Sequence, residues 1–173
     1  MKIWIGAALL LVSVTADAQM PYAGMQVRQI KGLSEQQIAD LRAGRGMGLA
    51  LAAELNGYPG PSHVLELADQ LALTADQRAS IKAMFDSMKA EAMPLGARLI
   101  EQEAELDQQF ASHSVTPESL RALTAAAAGT QGALRDTHLK YHLSTAAILS
   151  HEQMQRYAEL RGYGGGPMHQ HRH

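Results

Sequence analysis

Leu73-Thr74-Ala75-Asp76-Gln77 and Leu149-Ser150-His151-Glu152-Gln153 share one five-residue pattern, Leu, Ser or Thr, any, any, Gln, and Leu33-Ser34-Glu35-Gln36-Gln37 is a third copy. Each copy reads as a helix start. The Ser or Thr hydroxyl accepts from the third helical N–H, and the Gln at that position reaches back to the N–H of the cap residue itself. The preceding Leu supplies an apolar side chain that packs on the first turn. Three helices are placed before any periodicity is counted.

Downstream of Thr74, the residues Ile81, Phe85, Met88, Ala92, Leu95, Leu99, Leu106 and Phe110 recur at spacings of four and three with one missed position, the stripe of a single amphipathic helix. Unbroken, Ala75 to Phe110 would span about 54 Å. Pro94 and Gly96 lie inside it and predict a kink near Met93. Ser112-His113-Ser114-Val115 is the turn, and Thr116 caps a return helix with Pro117 in its first position and Glu118 in its first turn. Its inner stripe is Leu120, Leu123, Ala127, Leu134, His138, Tyr141, Thr145 and Ile148. Two long helices joined by so few residues lie antiparallel. Ser150 then opens a short last helix through Leu160, stopped by Gly162.

Upstream, Ser34 opens a helix toward Leu55 with Ile38, Leu41, Leu49, Ala52 and Leu55 on its apolar side. Gly44, Gly46 and Gly48 interrupt it, each costing about 1 kcal/mol relative to Ala. The helix bends or breaks there, or another helix packs very close. Asn56 to Pro61 is a hard stop, and a short helix begins at Ser62 with Val64, Leu65, Leu67, Ala68 and Leu71 apolar. The fold class is all-α: a long kinked antiparallel hairpin with additional short helices.

Residues 1–18 read as a signal peptide: Lys2 forms a positive start, Ile3 to Val14 an apolar run, and Ala16-Asp17-Ala18 a cleavage site. The expected location is the periplasm, reached through a cleavable signal; the alternative is an anchor formed by an uncleaved one. Residues 19–32 read as a loose N-terminal arm, 33–162 as one helical domain, and 163–173 as a disordered Gly/His-rich tail. The formal net charge of −2 gives no basic face for nucleic acid. The absence of Cys removes disulfides, thiol nucleophiles and thiolate ligands.

The Leu73-Thr74-x-x-Gln77 and Leu149-Ser150-x-x-Gln153 pair, separated by one long hairpin behind a signal peptide, resembles the LTxxQ family of periplasmic Spy/CpxP proteins and their heavy-metal-resistance relatives, among them the CnrX-like sensor branch. The resemblance covers roughly Ser62 to Gly162. It implies a cradle-shaped helical homodimer acting as an ATP-independent chaperone or as an envelope-stress and metal-responsive protein, and not an enzyme. The implied partners are unfolded or partly folded periplasmic proteins or a membrane sensor. A thin core, two amphipathic helices with short companions, also leaves an apolar face that pairing would cover.

The chemistry-bearing residues are histidines. His138 and His142 stand at i and i+4, so both imidazoles project from one helical face and are placed to share a metal ion. If the short helix folds back on the hairpin, His63 completes a three-nitrogen site, with Glu66 or Asp69 as an oxygen ligand. The competing reading of His138, which lies on the inner stripe, is a partly buried, hydrogen-bonded histidine. His169, His171 and His173, with Met168, form a tract of the kind that binds Zn, Ni or Cu loosely. No resident cofactor is required by these residues. Met84, Met88 and Met93 read as core, Glu101, Glu103, Glu105 and Asp107 as a solvated face, and the three glycines lack the spacing of a phosphate loop, so no nucleotide is expected.

Overall fold

The computed structural model describes residues 22–163, and among these there are helices and no strands. The signal segment and the histidines of the tail lie outside the described residues. After a single 3-10 turn at Met25–Val27 come α1 (Glu35–Arg42), α2 (Leu51–Glu54), α3 (Pro61–Glu66), α4 (Ala75–Ala111), α5 (Pro117–Ala146) and α6 (His151–Leu160). The antiparallel pair α4 and α5 is the backbone of the molecule; α1 and α3 pack on α4, and α2 lies against α5.

All three Leu-Ser/Thr-x-x-Gln copies form the capping box, and Thr116 with Ser119 makes a fourth at the start of α5. Two of the boxes are also joined to each other. Gln77 Nε2 donates to Gln153 Oε1 at 2.9 Å and Gln153 Nε2 donates to Gln77 Oε1 at 3.0 Å. Each amide nitrogen spends its second proton on a carbonyl ahead of the other helix, Ile148 at 3.0 Å and Leu71 at 3.3 Å. Each amide oxygen also accepts from its own cap N–H, Thr74 at 3.1 Å and Ser150 at 2.9 Å. Both side-chain amides are thus fully used, and the first turns of α4 and α6 are held together.

Beneath this pair, Leu73 and Leu149 are buried in one apolar cluster with Val64, Ala68, Leu71, Ile81 and Tyr157. A second cluster, Leu41, Ala92, Leu99, Ala127 and Leu134, lies farther along the hairpin. Full burial of one such aliphatic side chain contributes about 1.5–3 kcal/mol, so the two clusters carry most of the packing energy.

The region of the three glycines is a break rather than a helix crossing. Gly44 and Gly48 have φ of 65° and 81°, and Met47 also has positive φ, which ends α1 and starts a separate α2. The close approach occurs instead at Gly96, where an added Cβ would lie 2.2 Å from the Leu41 carbonyl oxygen. That glycine lets α1 cross α4 backbone to backbone. Pro94, lacking an N–H for the Ala90 carbonyl, stays inside one helix of 37 residues and does not end it.

Several expected inward positions face outward. Leu55 is 59 % exposed and Ala52 is exposed, because the glycine break rotates α2 relative to α1 and presents Ala53 and Glu54 to the interior. Phe110 and Leu120 are exposed too, since among the described residues nothing packs over the end of the hairpin beyond the arm at Asp107. Part of the N-terminal arm is fastened: Ile30 is buried, and Lys31 Nζ pairs with Asp107 Oδ2 at 3.1 Å. Asp107 therefore leaves the solvated face on which the sequence placed it.

Gln77→Glu keeps the cap acceptor but loses both amide donors, and is expected to cost about 2–4 kcal/mol in urea unfolding. Gln37→Glu, in an exposed box with no partner helix, is expected to stay within about 0.5 kcal/mol of wild type. Equal effects would show that the amide pair contributes nothing beyond local capping.

Candidate metal centre

Between the two apolar clusters the α4–α5 interface turns polar. Ile81 and Ala92 on α4, and Leu134 and Leu149 around α5, belong to the flanking clusters, whereas Phe85 and Met88 of α4 and His138 and His142 of α5 line a cavity of about 510 Å³. The Ala43–Gly48 loop, Ala50, Leu51 and Glu54 from the α2 region, and Gly60–His63 at the start of α3 close the other sides. The i, i+4 spacing sets both imidazoles on this face, one turn apart.

Glu54 organises the site, and it is 5 % exposed. Its Oε2 accepts from the Gly60 N–H at 3.1 Å; its Oε1 accepts from Tyr163 Oη at 3.2 Å and from Tyr157 Oη. His63 Nδ1 lies 3.5 Å from Oε1, His142 Nδ1 3.7 Å from Oε2, and Arg161 Nε 3.8 Å from Oε1. Burial, reinforced by the hydrogen bond to Glu54, pushes the Tyr157 phenol well above its ordinary pKa, so it remains a donor. A carboxylate so deeply buried is tolerable only with this many donors.

The histidines differ in their surroundings. His142 Nδ1 donates to the Tyr58 carbonyl at 2.7 Å, which in the neutral ring leaves Nε2 as the lone-pair nitrogen. Its ring lies so near Gly60 that an added Cβ there would be 2.7 Å from Nε2. His138 is 3 % exposed, its ring sits against Gly46, and its Nε2 is buried without a hydrogen-bond partner. Burial, and secondarily the neighbouring His142, lowers the His138 pKa below the ordinary 6.5. The ring is therefore the neutral, metal-competent form at neutral pH.

His63, His138 and His142 thus line one cavity, with His63 and His142 on opposite oxygens of one carboxylate. The oxygen partners expected from the sequence are displaced. Glu66 accepts from Ser62 Oγ at 3.3 Å and Asp69 pairs with Arg78 at 2.6 Å, both in solvent, because α3 turns that face away from the cavity. Glu54 takes their place. The only sequence signal for it was one carboxylate inside the apolar run Leu49 to Leu55. Among the described residues no three His, Cys, Asp or Glu side chains stand together as a ready ligand set. The donor chemistry nonetheless suits a divalent transition metal: neutral imidazoles, one of them unpartnered, a ligand-type ring fixed from behind by a carbonyl, and a carboxylate. Beside the histidines, Lys140 and Tyr141 hydrogen-bond to Glu91 and hold its carboxyl below the usual range, tying α5 to α4.

Because native His138 binds its proton less readily than the unfolded chain, its contribution to stability is complete above about pH 6.5 and is lost as the pH falls below that toward the lowered native value. Melting temperature is expected to drop between pH 7.5 and 5, and His138→Gln is expected to flatten that slope. An unchanged slope in the variant would remove His138 from the account.

A model of the family described as heavy-metal resistance matches residues 47–156, taking in α2 with Glu54, all three cavity histidines and both joined Gln boxes. No curated protein and no solved structure matches the chain. The match covers more than half of the sequence, and the chain belongs to the heavy-metal-resistance family of the Spy/CpxP-like LTxxQ group.

Proposed function

We propose that the chain is an exported, metal-responsive binding protein that takes a divalent ion, Zn, Ni or Cu, into the cavity between α2, α3 and α5. The observation that carries this reading is the buried, unpartnered Nε2 of His138 in a cavity that His63, His142 and Glu54 also line. An orphaned buried polar nitrogen costs about 1–3 kcal/mol, and an ion bound by its lone-pair tautomer would offset that cost. His138, His142 and His63 would hold the ion, and Glu54 would supply an oxygen or orient the imidazoles. The ion itself would act as a cross-link between α3 and α5, not as a catalyst. Such a protein works in the periplasm, beyond a signal segment at residues 1–18, as a homodimer or in contact with a membrane sensor. No described helix is long and apolar enough to cross a membrane.

Calorimetric titration of the full chain with Zn, Ni and Cu tests the reading. His138→Ala/His142→Ala is expected to weaken the tightest ion by at least about 100-fold, the cost of losing two of its ligands. Wild-type binding in that variant, with its helical circular dichroism intact, would sink the proposal.

A second reading, an ATP-independent chaperone, is favoured by a separate observation: Leu51, Leu55, Tyr58 and Leu143 are 53, 59, 44 and 57 % exposed, on and around the helix that packs on α5. Apolar side chains gathered on one region of a protein suit transient capture of unfolded chains. Light scattering from an aggregating client should fall at a few-fold molar excess, and Leu51→Ser/Leu55→Ser should abolish the effect. Undiminished scattering with wild type would rule the reading out.

A further inference from the structure

We infer that the cavity also holds a soft monovalent ion, Cu(I) or its analogue Ag(I), between the thioethers of Met47 and Met88 and the Nε2 of His138. This rests on the reading of His138 as a metal ligand and adds a sulfur half-site to the nitrogen and oxygen donors already described.

The two imidazoles of α5 face different neighbours. They stand one turn apart, about 6 Å along the helix axis. His142 turns to the Tyr58 carbonyl, Gly60 and Glu54. His138 turns to the loop between α1 and α2, where a Cβ placed on Gly46 would lie 3.5 Å from its Nδ1. That loop crosses from α4 to α5, since a Cβ on Gly44 would meet the Lys89 carbonyl oxygen of α4 at 3.4 Å. Met47 sits on the crossing, next to Gly46, and lines the cavity. Its φ is 43°, a backbone conformation that residues with a Cβ rarely adopt. Gly44 and Gly48 carry the other positive φ angles of the loop, and glycine at position 47 would make the same turn with less strain. The methionine side chain is therefore the reason for the residue, not the turn.

Met88 supplies the second sulfur. It is buried and lines the cavity from α4, yet it belongs to neither apolar cluster, although Ile81 and Ala92 of the same stripe do. The third donor is the buried, unpartnered Nε2 of His138. Two thioethers and an imidazole are a neutral, soft set, and thioether sulfur selects Cu(I) over the harder divalent ions. Charge points the same way. Among the described residues lining the cavity, Glu54 is the one carboxylate, and it already accepts from Gly60, Tyr157 and Tyr163, while Arg45 and Lys89 add positive charge. Neutral donors beside two cations suit a single positive charge better than a double one. Met47 is partly exposed, so its sulfur can meet an arriving ion before the buried donors do.

Anaerobic titration with Cu(I) against a bicinchoninate competitor, and separately with Zn(II), tests the assignment. The full chain carries His169→Ala/His171→Ala/His173→Ala throughout, so that those imidazoles do not compete for the ion. One Cu(I) per chain is expected, weakened at least about 10-fold by Met47→Leu/Met88→Leu and by His138→Gln, no less than the loss of a supporting partner costs a metal site. Zn(II) affinity is expected to change less than about threefold in the methionine variant, because Leu conserves volume and removes only the sulfur. Without those methionine substitutions, Ag(I) is expected to shift the ε-methyl resonances of Met47 and Met88 and to leave those of Met84 and Met93 in place, a readout independent of how any variant folds. Cu(I) affinity unchanged by Met47→Leu/Met88→Leu, or Ag(I) shifts confined to other methionines, would overturn the inference and leave the divalent site standing. His138→Gln that alters the binding of neither Cu(I) nor Zn(II) would overturn the cavity reading as well. Cu(I) held through both methionines, with Zn(II) indifferent to His138→Ala/His142→Ala, would uphold the soft site and reject the divalent one.

Discussion

The reciprocal amide pair of Gln77 and Gln153 fixes where everything else can be. It joins the first turns of two helices that lie far apart in sequence, and in doing so it sets α6 against the base of the hairpin. Tyr157, on α6, is thereby brought to Glu54, and Glu54 in turn holds the Gly60 N–H and faces His63 and His142. A motif whose local role is capping thus acts over distance. Its Gln side chains do both, because an amide has two N–H donors and a two-lone-pair oxygen, enough for the cap and for the partner helix together.

The polar site exists because packing on either side is sufficient without it. The cluster around Ile81 and Leu149 and the cluster around Ala92 and Leu134 each bury aliphatic side chains to near completion. Between them the hairpin interface has room for two imidazoles and a carboxylate, groups that a continuous core would exclude. Glycine makes this possible at two points: Gly96 admits the α1 backbone against α4, and Gly60 admits the His142 ring. Neither position tolerates a side chain without displacing what it faces.

Much of this was legible in the residues. The capping boxes placed the starts of α1, α4 and α6 to the residue, because a Ser or Thr hydroxyl and a Gln amide at fixed separation leave few other local solutions. The i, i+4 pair of histidines likewise put both rings on the buried face. Glu54 was not legible: in Leu-Ala-Leu-Ala-Ala-Glu-Leu the apolar periodicity points to Ala52 and Leu55, and only the break at Gly44 to Gly48 rotates α2 so that the carboxylate turns inward. The bond between the Gln boxes was hidden for the same kind of reason, since capping accounts for each Gln completely until tertiary structure brings two of them face to face. The outward Phe110 and Leu120 show the converse error, a helical stripe continuing past the point where anything covers it.

The uncovered tip has a mechanical meaning. Pro94 removes one hydrogen bond from α4, and about 26 Å of helix extends from it to Ala111 at 1.5 Å per residue. A change of about 10° at that joint, small for a proline-containing helix, displaces the tip by about 4–5 Å. Met88 and Phe85 of the cavity lie within three turns of the same joint, and α1 at Gly96 and Lys31 at Asp107 hold the segment beyond it, so a bend at Pro94 is felt at the cavity as well as at the tip.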